Sequence, residues 1–124
     1  MKKLALTLAF IGAVLSAFAQ RVPEKDISYV WKESLSSKQV VAVEKFVRHM
    51  DATDKWNVYS AVVRSKEFHQ DYFPGEPMTE MKVLSAVRTR LSTDDASKFN
   101  ALWSGLDRSD RNRLLAILRD IQTG

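Results

Sequence analysis

The chain has 124 residues, of which 45% are hydrophobic, and it contains no cysteine. This length allows one domain, and the absence of cysteine excludes a fold held together by disulfides. The formal net charge of the whole chain is +4, and the +2 that remains after the signal peptide predicted below is removed is too small to indicate a nucleic-acid-binding surface. We therefore expect a single domain that is held by its apolar core and has no nucleic-acid partner.

The N-terminus has the three parts of a secretory signal peptide. Two lysines form a basic start, Leu4 to Leu15 is an apolar run, and Ala17 to Ala19 matches a small-x-small cleavage site. The run is shorter than the roughly 20 residues of a membrane-spanning helix, so an uncleaved anchor is the weaker alternative. We predict a cleaved signal peptide at 1–19 and a mature domain at 20–124. The protein is then secreted, or periplasmic in a bacterium, without a stable membrane anchor.

Cleavage also changes the charge of the domain. The signal peptide takes two of the 19 basic residues and none of the 15 acidic ones, so the net charge falls from +4 to +2. The basicity of the whole chain thus overstates that of the mature protein.

The first part of the domain predicts three helices. A short apolar signal runs from Ile27 to about Glu33. Ser36 or Ser37 can cap the second helix, because a serine hydroxyl accepts a hydrogen bond from the first turn. The inner stripe of this helix is Val40, Val43, Phe46, Val47 and Met50. The segment Asp51 to Asp54 breaks it and offers caps for a third helix, which reaches about Lys66.

The segment Phe68 to Pro77 predicts a loop of unusual apolar content. Pro74-Gly75 is a turn signal, and Pro77 prevents a helix from running through. The aromatic side chains of the loop have two open interpretations: they plug the end of the bundle, or they form a lid or docking loop. These side chains are Phe68, Tyr72 and Phe73.

Two more helices are predicted between this loop and residue 106. Thr79 can cap the first, which runs to about Arg90. One of its faces carries Met81, Leu84, Val87 and Leu91. Ser92 or Thr93 can cap the second. Its apolar stripe recurs at three- and four-residue spacing as Phe99, Leu102, Trp103 and Leu106.

A last helix completes the predicted fold, and it ends a weak internal repeat. Asp107 or Ser109 can cap this helix, which runs to about Ile121. Residues 35–64 and 91–120 share cap chemistry at matching positions, which indicates an architectural repeat and leaves a true duplication open. We predict an all-α small bundle of about five amphipathic helices, the first one short, built from two helical hairpins.

The residues show no pattern that is typical of catalysis or metal binding. His49 and His69 are the only histidines, and no spaced set of His or Cys accompanies them. Two carboxylate pairs lie at predicted helix starts, where capping is their ordinary role. We therefore predict a non-enzymatic protein without a metal or cofactor.

The large aromatic and methionine side chains form either plain core or the lining of a cavity for an apolar ligand. We predict that such a cavity is lined by Phe46, Met50, Trp56, Tyr59, Leu84, Phe99, Trp103 and Leu118. Its mouth or lid is predicted to consist of Arg64, Phe68, Tyr72, Phe73, Arg88 and Arg90. The arginines of this set can meet a ligand carboxylate.

Two resemblances to known families add to this reading. The run Val22-Pro23-Glu24, Tyr29-Val30-Trp31 and Leu35-Ser36 resembles the opening of the nematode fatty-acid- and retinol-binding family. The stretch Arg88 to Leu102 is similar in layout to one of its later helices. This resemblance implies a secreted helical protein, poor in cysteine, that holds a fatty acid or retinol in an internal cavity.

The second resemblance is shorter. Leu35-Ser-Ser-Lys-Gln39 resembles the Leu-Thr-x-x-Gln motif of the small periplasmic helical chaperones of bacterial envelope stress. It implies a protein that binds polypeptides on a helical face.

We therefore predict a secreted non-enzymatic protein that binds a fatty acid or retinoid in an internal cavity. The alternative is a secreted or periplasmic protein–protein interaction module, chaperone-like or host-directed, that uses its exposed apolar loop. The directions of Trp56, Phe99 and Trp103 distinguish the two. Side chains that point inward around a void favour the small ligand. Side chains that point outward, beside the aromatic residues of the loop, favour a protein partner.

Overall fold

A computed structural model describes residues 22–124, and all its regular secondary structure is helical. Six α-helices follow a 3-10 turn at Glu24–Asp26: α1 Ile27–Val30, α2 Ser37–Val47, α3 Ala52–His69, α4 Glu80–Arg88, α5 Thr93–Gly105 and α6 Arg108–Thr123. The all-α fold class is thus confirmed. The predicted signal peptide lies outside the described residues.

Five of the six helices begin at a side-chain N-cap. The capping oxygens accept the backbone N–H three residues further on at 2.8 to 3.3 Å. The caps are Ser36, Asp51, Thr79, Ser92 and Asp107. The predicted total of about five helices is wrong: the elements predicted along the chain already number six, and six α-helices form, of which α1 is a single turn with no side-chain cap.

The central element of the bundle is α3. It packs against α1, α2, α4, α5 and α6, and its contact with α6 is the most extensive helix pair. The helix α6 also packs against α2 and α4. The two predicted hairpins are α2 with α3 and α5 with α6. The contacts between the two hairpins are therefore more extensive than the contacts within either one. The fully buried core side chains include Ile27, Val43, Val58, Val62, Val83, Val87, Leu114, Leu118 and Ile121.

A buried glutamine ties three of these helices together. The side-chain amide of Gln122, in α6, donates to Ser65 Oγ at 3.1 Å and to the Val83 carbonyl at 3.0 Å. His69 Nδ1 lies 3.0 Å from the backbone carbonyl oxygen of Gln122. Because buried polar groups are costly unless they are paired, this network fixes the register of α3, α4 and α6.

The inner face of α4 differs from the predicted one. Its buried side chains are Val83, Leu84, Ala86 and Val87. Met81 was predicted on the same face and is 80% exposed. Its placement was wrong because Met81 lies in the first turn, ahead of the stripe that contacts α3 and α6.

The chain at Val22 is held by a buried ion pair. Arg64 Nη1 lies 2.9 Å from Glu67 Oε2, and their side chains are 3% and 12% exposed. The Val22 N–H donates to Glu67 Oε2 at 2.7 Å, and the Val22 carbonyl accepts from Arg64 Nη1 at 3.0 Å. Because both charges bind the same backbone unit, the start of the described chain is fixed onto α3.

The Glu24 carboxyl in the 3-10 turn lies near the Asp95 carboxyl of α5, and this makes stability depend on pH. The neighbouring Asp95 carboxyl, then burial, raises the pKa of Glu24 above its ordinary 4.5, while Arg64 and Lys98 oppose the shift. Because the folded-state pKa is the higher one, the protonated form of Glu24 stabilises the fold below pH 4.5. This contribution is lost as the pH rises through the raised pKa.

We expect Glu24→Gln to keep a neutral polar group beside Asp95 without a titrating proton. The melting temperature of this variant should therefore rise relative to the unaltered chain as the pH increases from 4 to 7. The gain is small, because Glu24 is exposed and water screens the pair. Thermal melts across this pH range measure it, with the exposed Glu33→Gln as control. A difference between variant and unaltered chain that does not change with pH contradicts the account.

Candidate functional site

An open groove of about 310 Å³ lies where the start of α3 meets α5. Its volume is at the lower end of the range of small-ligand pockets, which is about 300–1,000 Å³. The groove is lined by Met50, Thr53, Asp54, Asn57, Lys98, Ala101, Leu102, Gly105 and Leu106. These side chains come from the α2–α3 turn, the first turns of α3 and the length of α5.

Helical spacing explains why these residues meet. Thr53 and Asp54 lie four and three residues before Asn57, so the three share one side of α3. On α5 the lining positions recur at three- and four-residue spacing, from Lys98 to Gly105. The Asp51 cap starts α3 directly after the α2–α3 turn, and it thereby places the first turns of α3 opposite α5.

One wall of the groove is apolar. Leu102 is buried in the core, while Met50 and Leu106 are half-buried and pack against that core. A methionine side chain adapts its shape to different apolar partners. At Gly105 an added Cβ would meet no atom within 4 Å, so the backbone leaves this end of the groove open. The wall can therefore accept an apolar body of variable shape.

The rest of the lining forms a polar wall that contains a nearly buried amide. Asn57 is 5% exposed, and its side chain makes no hydrogen bond within the described part of the chain. The carboxylate of Asp54 is half-buried and has no ion-pair partner among residues 22–124. Lys98 is exposed and pairs with Asp94 at 3.3 Å. The groove thus offers an unused donor and acceptor at Asn57 beside an apolar wall.

The residues predicted to line an internal cavity lie mostly in the core. Four of them are buried members of the core cluster: Phe46, Leu84, Phe99 and Leu118. Three are half-buried and pack against that cluster: Trp56, Tyr59 and Trp103. The eighth, Met50, lines the groove. The structure therefore brings one predicted cavity residue to the candidate site, and the internal cavity stays a prediction.

Aromatic contacts within this set are close. Tyr59 stacks on Trp31 with ring centroids 4.6 Å apart and an interplanar angle of 9°. Phe99 and Trp103 have ring centroids 6.4 Å apart. Burial raises the pKa of the Tyr59 hydroxyl, as expected for a phenol desolvated beside the core. These contacts show that the aromatic side chains contribute to packing.

Each arginine predicted at a cavity mouth holds another element in place. Arg64 is buried in the pair with Glu67 described above. Arg88 Nε donates to Asn100 Oδ1 at 2.7 Å and thereby joins α4 to α5. Arg90 pairs with Asp71 at 2.8 Å, and its guanidinium lies 5.1 Å from the ring centroid of Phe68. Arg64 therefore lies inside the bundle rather than at a mouth.

The aromatic loop between α3 and α4 is split between the two predicted roles. Phe68 and Tyr72 are half-buried, with ring centroids 6.4 Å apart, and Tyr72 donates its hydroxyl to the Glu76 carbonyl at 3.1 Å. The predicted turn forms at Gly75, where φ is +91°. Phe73 is 75% exposed. The first two side chains thus close the bundle, and the third is left on the surface.

Sequence reasoning missed two polar side chains near the groove. Asn57 was passed over because its sequence neighbours are apolar. The helix α3 also has apolar residues on all its sides, so its spacing does not reveal a buried polar position. The second is Arg111, in the first turn of α6. Its guanidinium donates to the carbonyls of Trp103 and Ser104 at 2.9 and 3.1 Å and caps the end of α5. The spacing of eight residues across the Gly105 turn was the available signal for this contact.

The described residues contain neither a metal-ligating cluster nor a membrane-spanning helix. Within residues 22–124, no three His, Asp or Glu side chains come together as a metal site would require. No helix of that same range is long and apolar enough to span a bilayer. Comparison of the chain with protein-family models, curated proteins and solved structures finds no match in any of the three. Both family resemblances therefore remain predictions.

Proposed function

We propose that the protein is a secreted, non-enzymatic helical module that binds a small molecule with an apolar body, and that the binding site is the groove between α3 and α5. The observation that supports this most is the pairing of an apolar wall with a nearly buried amide that has no internal partner. Ligand sites typically combine a mainly apolar lining with a few placed polar groups. The site differs from the internal cavity expected from the sequence.

The apolar wall sets the expected strength of binding. Removing one CH₂ group from water contributes about 0.8 kcal/mol. An open groove covers only part of a ligand, so an eight-carbon chain gains less than its full transfer free energy. After the entropic cost of association, a dissociation constant of roughly 1–100 μM is expected. The groove lining contains no histidine or cysteine, which supports a binding role over catalysis.

A second candidate is a protein–protein interaction module at the aromatic loop. Phe73 favours it, because a large apolar side chain at 75% exposure is a typical element of a docking surface. The same loop borders a second groove of about 210 Å³. A single exposed aromatic residue carries less weight than a groove with a complete lining, and we rank this function second.

Titration with Nile red, an uncharged probe whose fluorescence rises in apolar surroundings, tests the first proposal. We expect saturable one-to-one binding that an eight-carbon competitor displaces. Gly105→Trp should abolish it, because the new ring has room to fill the groove. Replacing glycine near a helix end is not expected to destabilise the fold.

Two controls locate the binding. Asn112→Trp adds the same ring at an exposed position of α6, away from the groove, and should leave the titration unchanged. Phe73→Ser should also leave it unchanged if the loop is not the site. Full binding by Gly105→Trp, or loss of binding in Phe73→Ser, contradicts the proposal.

A further inference from the structure

We infer that the groove selects a ligand whose polar head is a neutral amide on an acyl chain, in preference to a free carboxylate. This inference rests on the proposed function and names the ligand class of the same site. It departs from the fatty acid expected from the sequence. Three features of the groove support the inference. They are the unused hydrogen-bonding groups of Asn57, the charges near Asn57 and the position of the apolar wall.

The first feature is the hydrogen-bonding capacity of Asn57. A carboxamide has two N–H donors and one carbonyl acceptor. The residue is 5% exposed, and none of these groups is used within the described residues. The amide atoms are not sealed from solvent, so a ligand that accepts from one N–H and donates to the carbonyl replaces the water there most completely. An amide does so by a reciprocal pair of hydrogen bonds, whereas a carboxylate has no donor for the Asn57 carbonyl.

The second feature is the charge beside Asn57. The Asp54 carboxylate lies one helical turn before it and has no ion-pair partner among the described residues. Asp51 and Asp54 already occupy the positive end of the α3 dipole. The ammonium of Lys98 is paired with Asp94. An anionic head at Asn57 would therefore meet an unpaired carboxylate and no unpaired cation.

A cationic head is also disfavoured, for a different reason. An ammonium can pair with the Asp54 carboxylate, but that group is only half-buried, so water screens the pair. An ammonium also has donors only and leaves the Asn57 N–H groups without an acceptor. A neutral amide supplies that acceptor and avoids the repulsion from Asp54. The amide is thus the head group that matches Asn57 and does not disturb the charges around it.

The third feature is the apolar wall, which fixes where the chain of the ligand lies. Met50, Leu102 and Leu106 face the groove beside the polar wall. An acyl chain attached to the amide carbonyl can therefore lie on this wall while its head reaches Asn57. Gly105 leaves one end of the groove open, so the groove does not set a sharp limit on the length of the acyl chain.

A series of three competitors with the same eight-carbon chain tests the inference at pH 7. Octanamide, octanoate and octylammonium are each used to displace Nile red from the full-length purified protein. We expect octanamide to bind about tenfold more tightly than octanoate, which corresponds to one net hydrogen bond. The expected order places octylammonium below octanamide as well.

Two variants then assign the preference to Asn57. Asn57→Leu should weaken octanamide about tenfold and leave octanoate nearly unchanged. Asn57→Asp adds a second carboxylate to the groove and should make octylammonium the best competitor. Far-UV circular dichroism verifies that each variant is folded. If Asn57→Leu does not fold, the result for Asn57→Asp alone tests whether Asn57 recognises the head group.

The outcomes separate this inference from the proposed function. Octanoate binding as tightly as octanamide overturns the inference and leaves the groove as a binding site. A preference for octanamide that survives in both variants also overturns it, because the head is then recognised elsewhere. Displacement by none of the three, together with no saturable Nile red signal, overturns the proposed function and the inference with it.

Discussion

Arg64→Leu is expected to destabilise the fold by about 3–5 kcal/mol, because it removes one partner of a buried ion pair and leaves the other charge uncompensated. Glu67 would then remain mostly buried, with only the Val22 N–H to offset its charge. The Val22 carbonyl would also lose its donor. Urea unfolding followed by circular dichroism measures the loss. The change should be close to the whole stability of a domain of this size.

Two comparisons show whether the ion pair is the cause. Arg113→Leu removes an arginine from an exposed pair with Asp110 that has the same three-residue spacing, and it should cost at most about 1 kcal/mol. The double variant Arg64→Leu/Glu67→Leu should recover much of the loss, because no unpaired charge is left. Equal losses in Arg64→Leu and Arg113→Leu would show that the Arg64 pair is not buried as described.

Phe99→Ala should cost about 3–5 kcal/mol, the range for truncating a buried phenylalanine. Phe99 is almost fully buried and contacts Trp103 and Arg88. If it instead lined a ligand-filled cavity, its truncation would enlarge that cavity. The variant would then bind larger ligands with little loss of stability. The prediction therefore separates packed core from the cavity lining expected from the sequence.

Urea unfolding also measures this effect, with Met81→Ala as a control at an exposed position of α4. That control should change the free energy of unfolding by less than about 0.5 kcal/mol. A loss below about 1 kcal/mol in Phe99→Ala, accompanied by tighter binding of retinol or oleate, would contradict the packed core and restore the internal cavity.

Helix starts were the most predictable part of this fold, because capping is a local interaction. Ser36, Asp51 and Asp107 each accept a hydrogen bond from a residue three positions along the chain, so the sequence contains both partners. Apolar stripes were predictable for the same reason. The three- and four-residue spacing of apolar residues in an amphipathic helix shows which face is buried. In α2, three residues of the predicted stripe are buried: Val43, Phe46 and Val47.

The central position of α3 could not be predicted in this way. A helix that is surrounded on all sides has no single apolar face, so its spacing does not show which residues are buried. Polar side chains on it then look exposed from the sequence alone. Arg64 and Asn57 are examples: one was placed at a cavity mouth and the other was not considered. Both are buried because other helices cover α3, which is a tertiary effect.

The candidate site was predictable only in its chemistry. The sequence indicated an apolar ligand from its aromatic and methionine content, and Met50 does line the groove. The place of binding depends on how α3 and α5 meet, and that meeting depends on contacts between residues some forty positions apart. The largest aromatic side chains instead pack the core, because a domain of this size needs them for stability.

The most direct test of the groove is the mapping of octanamide binding by backbone amide chemical shifts in a ¹⁵N-labelled sample. The account predicts saturable shifts that are largest at Asn57, Lys98 and Gly105 and that yield one dissociation constant. The Gly105→Trp variant should show none of them. Shifts concentrated in the Phe68 to Pro77 loop, or at the core residue Phe99, would contradict the account and place the ligand elsewhere.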